Sequence, residues 1–346
     1  MKVRAFSVLS VSDLKSVYWA ARRRPATLAA FVRMIGKVLI SYASFRRATS
    51  EEHSGRPSVV VAMVECMGDI VAAEPIARLV RQLHPHHRVV WVTKRGFTSI
   101  PAAFQAVDSV FEVSCLSEWL LLWRLNPGCL VYDLHPVGHH CGECGLPVKK
   151  PKTLVTVTDL LVGRNLLSAM CLSGSLPEVE DSPSLTPPSA ARRAVDLLNL
   201  PDRFIVIHCE STDVRKEWPA EKWRMFCSEI SRKSGLDCYE VGLHPIVATD
   251  GDSFAISLCG ELSIMETAEV IRRAAVFVGI DSGPAHLANA VGARAVLLLG
   301  SYRNFARYMP FSGGYCDGTR AKVVRTDGPA VEIDVSEVVR ACIEMI

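Results

Sequence analysis

Three segments of this chain gather residue types that could do chemistry, two of them suited to holding an anionic group. The first is VFVGIDSGPAHLANAVGARAVLLLG, residues 276–300. Its β-branched run ends at Ile280, and a helix is expected from about Pro284, since proline is well tolerated at the first helical position. Asp281, Ser282 and Gly283 form the turn between them. Free backbone N–H groups at a helix start, together with the helix dipole, create an anion site suited to phosphate. Gly283 lets a ligand approach the backbone, Ser282 adds a hydroxyl, and His286, one turn in, is placed to hydrogen-bond the same anion. Taken alone, the turn reads first as an ordinary N-cap with a partly exposed histidine.

The second segment, HCESTDVRKEWPAEKW at residues 208–223, follows an apolar run and precedes a helix expected near Pro219. Ser211 and Thr212 offer hydroxyls, and Arg215 and Lys216 offer cationic donors. A diphosphate leaving group calls for such charge-assisted hydrogen bonds, roughly twice as strong as neutral ones. Basic loops are commonly only solvated, so the weight lies in having two anion-seeking loops at strand ends of one domain. The third segment, VECMGDIVAAEPIARLV at residues 64–80, has a strand, a short turn and a helix. Gly68 permits close approach on the acceptor side. Asp69 at the helix start either caps the helix or faces a cleft and takes a proton. GxGxxG is absent, so a dinucleotide site is not supported.

A fourth constellation is HHCGECG, residues 139–145. Cys141 and Cys144, beside His139 and His140, have a spacing that zinc uses. No second, similarly spaced pair is visible, and the stretch reads first as a solvent loop with reduced thiols. No metal is therefore expected. A redox CxxC has no thioredoxin-like surroundings here.

The elements that must position these residues alternate in type. SVVVAMVE, RVVWVT, SVFEV and CLVYDLH read as buried strands, and the helical pattern IVAAEPIARLVRQLHP stands between the first two. After a proline- and serine-rich stretch at 175–190 the alternation restarts with RFIVIHC, DCYEVGL, FAISLCG, AVFVGI and ARAVLLLG. Helices are expected to end at Gly235 and to open at Ser263, where Glu266 completes a capping-box spacing. Strands alternating with helices imply parallel βαβ units. The expected fold is thus α/β, with two Rossmann-like doubly wound domains facing a cleft where ligands bind. The boundaries read as a basic arm and linker at 1–56, an N-terminal Rossmann-like domain at 57–188 and a C-terminal Rossmann-like domain at 189–346.

Composition limits the choices further. With 346 residues, 49% hydrophobic and 22% charged, the chain has ordinary globular chemistry. The net charge of +3 is too small to argue for nucleic acid, yet residues 1–56 hold eleven Lys/Arg against three acids. That leaves the remaining chain net acidic. The arm reads as amphipathic helix, with Phe31, Met34, Ile35, Val38 and Leu39 at helical spacing and Arg33 and Lys37 reaching another face. It either packs on the body or attaches peripherally to an anionic membrane surface. No stretch of 18 residues or more is apolar throughout, and no signal peptide is read at the start. The scattered cysteines behave as small buried hydrophobes, which favours a cytoplasmic location.

M-G-D followed by AEPIARL, the RGFTSIP segment at 95–101, KEWPxEKW at 216–223 and DSGPAHLANA at 281–290, in this order, resemble glycosyltransferase family 9. That is the family of ADP-heptose:lipopolysaccharide heptosyltransferases. The resemblance covers roughly residues 58–320 and implies a GT-B fold and inverting, metal-independent transfer without a cofactor. It implies Asp69 as general base and Lys216 as the lysine on the donor phosphate. Ser211 and Thr212 would contact the phosphates, and Asp281, Ser282, Gly283 and His286 would hold the donor. The implied partners are a nucleotide-diphosphate sugar, ADP-heptose above others, and a lipid-linked or glycan acceptor at the inner face of the cytoplasmic membrane. Two other readings stand beside it: a binding protein that keeps the fold without turnover, and a metal- or thiol-dependent protein built on 139–145.

Overall fold

The computed structural model describes residues 26–346 apart from 52–54, 126–127, 137–140, 142, 145, 147–154, 157–163, 212, 214, 249–254 and 302–307, with Lys15, Tyr18, Trp19 and Arg22 before them. Thr212, His139 and His140 therefore lie outside the described residues. The chain forms two compact units. One comprises residues 1–66, 76–160 and 169–178, and the other residues 67–75, 161–168 and 179–346. The Gly68–Asp69 segment thus groups with the C-terminal unit, although it precedes the boundary read from sequence.

The first unit is built on a four-stranded, wholly parallel sheet. β1 (Ser58–Ala62), β2 (Arg88–Lys94), β3 (Ser109–Val113) and β4 (Leu130–Asp133) take the order β3-β2-β1-β4. All five residues of β1 are buried, as expected of a strand covered on both faces. Helix α1 (Ala26–Thr49) lays Phe31, Met34, Val38 and Phe45 into this unit's core. By length and composition, Leu28–Thr49 is apolar enough to cross a membrane despite Arg33 and Lys37. One stripe of it is buried in that core. The opposite side exposes Leu28, Val32, Leu39 and Ile40.

The helical pattern of residues 70–85 is broken once. It divides into α2 (Met67–Ala72) and α3 (Glu74–Leu83). Pro75 has no N–H to donate to Val71, so the ladder cannot run through. Ala73 N donates to Asp69 O at 3.1 Å and closes the last turn of α2. The first unit continues with α4 (Ser99–Ala102) and α5 (Leu116–Arg124), and the chain then passes through α6 (Leu166–Ser173).

In the second unit a six-stranded parallel sheet has the order β10-β9-β8-β5-β6-β7. Its members are β5 (Ile205–His208), β6 (Cys238–Glu240), β7 (Ile256–Ser257), β8 (Val276–Ile280), β9 (Ala295–Leu299) and β10 (Ala321–Arg325). The helices are α7 (Ser189–Asp196), α8 (Ala220–Ser234), α9 (Ile264–Arg273), α10 (Gly283–Ala290) and α11 (Val335–Met345). Gly235 ends α8 at φ +71°, a left-handed position suited to glycine. Ser263 opens α9 with the expected capping box: Glu266 N donates to its hydroxyl and Ser263 N donates to the Glu266 carboxylate. The FAISLCG run supplies only the two-residue β7. β10 and α11 lie beyond the elements read from sequence.

A buried carboxylate organises the edge of this sheet. Glu240, 1% exposed, accepts from the backbone N–H groups of Ile246 (2.7 Å), Val247 (3.0 Å) and Ala248 (2.9 Å). Bonds to a charged acceptor contribute about 1.5–3 kcal/mol each. Glu240→Ala should therefore lower unfolding free energy by roughly 3 kcal/mol or more, read by urea denaturation, and Glu240→Gln should restore part of the loss.

Candidate active site

β8 delivers its last residue, Ile280, directly into the turn Asp281–Ser282, and α10 starts at Gly283 with Pro284 in its first turn. Proline there removes only an N–H that has no helical partner. Ser282 is the N-cap residue in extended geometry, and its buried Oγ makes no hydrogen bond. A helix start with a spare hydroxyl and unpaired amides is an anion-binding arrangement.

Lys216 reaches this turn from the loop after β5. Its Nζ lies 2.6 Å from Asp281 Oδ2, and the Tyr308 hydroxyl donates to the same oxygen at 2.7 Å. The ammonium also stands 5.9 Å from the centre of the Tyr308 ring. Asp281 thus accepts twice on one oxygen, holding a cation at the amino end of α10. Tyr308 borders a cavity of about 450 Å³ lined also by Met309, Arg325 and Asp327.

The rest of the KEWPAEKW segment is anchorage. Trp218 and Trp223 are buried in a T-shaped pair with ring centres 4.9 Å apart. Trp218 Nε1 donates to Ile333 O at 3.0 Å, and Lys222 Nζ donates to Val331 O and Ile333 O at 2.7 and 2.8 Å. These contacts fix the loop from which Lys216 projects. Arg215 is engaged locally: its Nε and Nη2 donate to the Asp213 carboxylate at 3.0 and 2.8 Å. The Ser211 hydroxyl accepts from Asp213 N at 3.0 Å. Of the two cations read from sequence, Lys216 is the one brought to the turn.

α2 packs against α10 through glycine. A Cβ on Gly68 would lie 2.8 Å from His286 Cδ2, and one on Gly283 would lie 2.2 Å from Met67 Cε. Asp69, half-buried, is the next residue on α2 and so rides on the helix that touches the anion-binding helix. His286 is buried, 5% exposed, with its ring 4.8 Å from that of Phe311. The expectation of a partly exposed histidine gives way to a packed one because α2 covers it. Burial pushes its pKa down to about 4; Asp281 opposes the shift and Lys216 adds to it. At neutral pH His286 is therefore an uncharged ring.

Two contributors were not read from sequence. Tyr308 offers no motif, only its place in the fold. Glu74, buried in AEPIARL, accepts from Ser184 N at 2.8 Å and ties the start of α3 to the proline-rich connection.

Comparisons with known proteins bear on the fold that carries these residues. A solved structure described as the glycosyl transferase family 9 from Veillonella parvula is 17% identical over 83% of this chain and 96% of that one, with a TM-score of 0.64. E. coli heptosyltransferase WaaC with ADP is 18% identical over 84% and 100%, with a TM-score of 0.57. E. coli ADP-heptose lps heptosyltransferase II is 14% identical over 83% and 98%, with a TM-score of 0.62. No curated protein sequence matches the chain. Two wholly parallel Rossmann-like units with this likeness define the GT-B fold. Residues 163–310 match the model of glycosyltransferase family 9 (heptosyltransferase). The matched stretch contains Lys216, the 281–286 turn and Tyr308; Asp69 precedes it.

Two outcomes follow from the packing of α2 on α10. Gly68→Ala should cost about 1–3 kcal/mol, the usual price of overpacking a rigid ring, whereas Gly283→Ala should cost less because the Met67 side chain can rotate away; urea denaturation of both variants checks the order. His286 titrates near 4 when folded and near 6.5 when unfolded, so the unfolded chain binds more protons between those values. Stability should be fully present above about pH 6.5 and decline as pH falls toward 4. His286→Gln should flatten that decline in denaturation curves taken across the window.

Proposed function

We propose that this chain is an inverting glycosyltransferase that moves a sugar, heptose from ADP-heptose, onto a lipopolysaccharide-core or similar surface-glycan acceptor. The observation that carries the proposal is the docking of the Asp69 helix, through Gly68, on the amino end of α10 where Lys216 and Asp281 meet. The similar E. coli proteins described with ADP and as an ADP-heptose enzyme support the choice of donor.

In this reading the diphosphate sits at the turn 281–283. An ammonium has three donors; Asp281 accepts from the group and keeps it oriented at the turn, where phosphate oxygens would meet it. Ser282, Gly283 and the hydroxyls of the 211–212 loop complete the cradle. Asp69 accepts the proton of the acceptor hydroxyl as that oxygen attacks the anomeric carbon. The carbon–oxygen bond to the diphosphate breaks on the opposite face, and the electron pair leaves with the nucleotide. A positioned base contributes about 10²–10⁴ in rate. Lys216 and the α10 dipole stabilise the charge that grows on the leaving group, a task that metal ions perform in other transferases, and this supports metal-independent chemistry. His286, neutral and covered, positions α2 against α10 from beneath the turn. The exposed Leu28, Val32, Leu39 and Ile40 on α1, with Arg33 and Lys37 exposed beside them, support peripheral attachment at the inner face of the cytoplasmic membrane, where a lipid-linked acceptor is found.

Asp69→Asn should lower turnover by about 10²–10⁴ and leave calorimetric ADP affinity unchanged. Lys216→Ala should do the reverse first, weakening ADP binding by about tenfold or more, as for loss of a charged hydrogen bond. Wild-type turnover in Asp69→Asn would remove the base, and unchanged ADP affinity in Lys216→Ala would remove the phosphate role.

A further inference from the structure

The CxxC segment finds a third thiol that its sequence neighbourhood does not contain. Cys115, 26 residues before Cys141, is the N-cap of α5. The sulfurs of Cys115, Cys141 and Cys144 all lie within 4.8 Å of one another. Cys144 Sγ is 3.5 Å from Cys141 Sγ and 3.1 Å from Ser117 Oγ. Cys115 and Cys141 are buried and Cys144 is half-buried, so the expected solvent loop is, at Cys141, part of the core. We propose that Cys115, Cys141 and Cys144 form a thiolate site for a soft divalent metal ion, zinc or ferrous iron, that pins the 141–146 segment to the amino end of α5.

Geometry and chemistry both favour a metal over a disulfide. A tetrahedral ion with metal–sulfur bonds of about 2.3 Å holds its sulfurs about 3.7 Å apart, close to the 3.5 Å between Cys141 and Cys144. A disulfide would join two sulfurs at about 2.05 Å and leave the third buried without a partner. Three sulfur donors select zinc and iron over hard cations. On binding, each thiol gives its proton to solvent as its sulfur–metal bond forms. Three protein thiolates leave one tetrahedral position for a further donor.

The surroundings explain what the ion would do. Between β4 and α6, residues 134–165 contain no helix or strand among the described residues except single bridge positions. Leu146 is buried in the same core as Cys115 and Cys141, and Glu143 pairs with Lys94 at the end of β2. Upstream, Ser114 N donates to Glu118 at 2.8 Å, setting the backbone that presents Cys115. Cys115 lies two residues past β3, so the ion would brace the carboxyl end of this unit's sheet.

The untagged full-length chain, purified without chelator under reducing conditions, should carry about one equivalent of zinc or iron by mass spectrometry of the metals. Cys115→Ser and Cys141→Ser should lose it, and Cys66→Ser, an exposed cysteine outside the cluster, should keep it. Should a cluster variant fold poorly, the wild-type chain stripped of metal and titrated with Co(II) gives an independent reading through thiolate-to-cobalt charge-transfer bands. Substoichiometric metal together with no such bands overturns the proposal, as does a Cys141–Cys144 disulfide in the freshly isolated chain.

Discussion

The ion pair between Lys216 and Asp281 is the interaction on which the rest of the site depends. Asp281 follows β8 directly and its side chain is 8% exposed, so its charge is costly unless partnered. Two donors from different parts of the chain meet that need, the ammonium of Lys216 and the hydroxyl of Tyr308. The result is a cation fixed beside a helix start, where the amides of α10 already favour negative charge. Two sources of positive potential therefore converge on one turn, and a diphosphate is the kind of group that would use both.

Holding the lysine there sets demands on the surrounding fold. Its loop would be a mobile basic segment were it not for Trp218 and Lys222, which bind the backbone carbonyls at 331 and 333. A sequence motif that looks cationic is in this way mostly anchorage with one projecting charge. The contact of α2 with α10 sets a second demand. It leaves no room for a side chain at Gly68, and burial lowers the pKa of the His286 ring it covers. Asp69 follows Gly68 on α2, in the same compact unit as α10.

Much of the scaffold was legible because its signals are local. The apolar runs at 58–62, 276–280 and 295–299 became parallel strands buried along their whole length. Pro284 and Ser263 marked helix starts, and Gly235 marked a helix end, through backbone chemistry that needs no tertiary context. The break at Ala73 was equally local, since Pro75 cannot continue the ladder, yet the apolar spacing across it masked the break. What stayed hidden was distance in sequence. Lys216 and Asp281 are 65 residues apart, Glu74 and Ser184 are 110 apart, and Cys115 joins a CxxC well downstream. Nothing in the types or spacing of Tyr308 or Cys115 announces their partners. His286 shows the converse: its motif was plain, and only the packing of α2 revealed that the ring is covered.

The most direct measurement is a crystal structure of the chain with ADP. The account predicts diphosphate oxygens within hydrogen-bonding distance of Lys216 Nζ and of the backbone N–H at Gly283, with Asp281 still contacting the ammonium. A diphosphate bound elsewhere, with the 281–283 turn closed over by its own side chains, would contradict it.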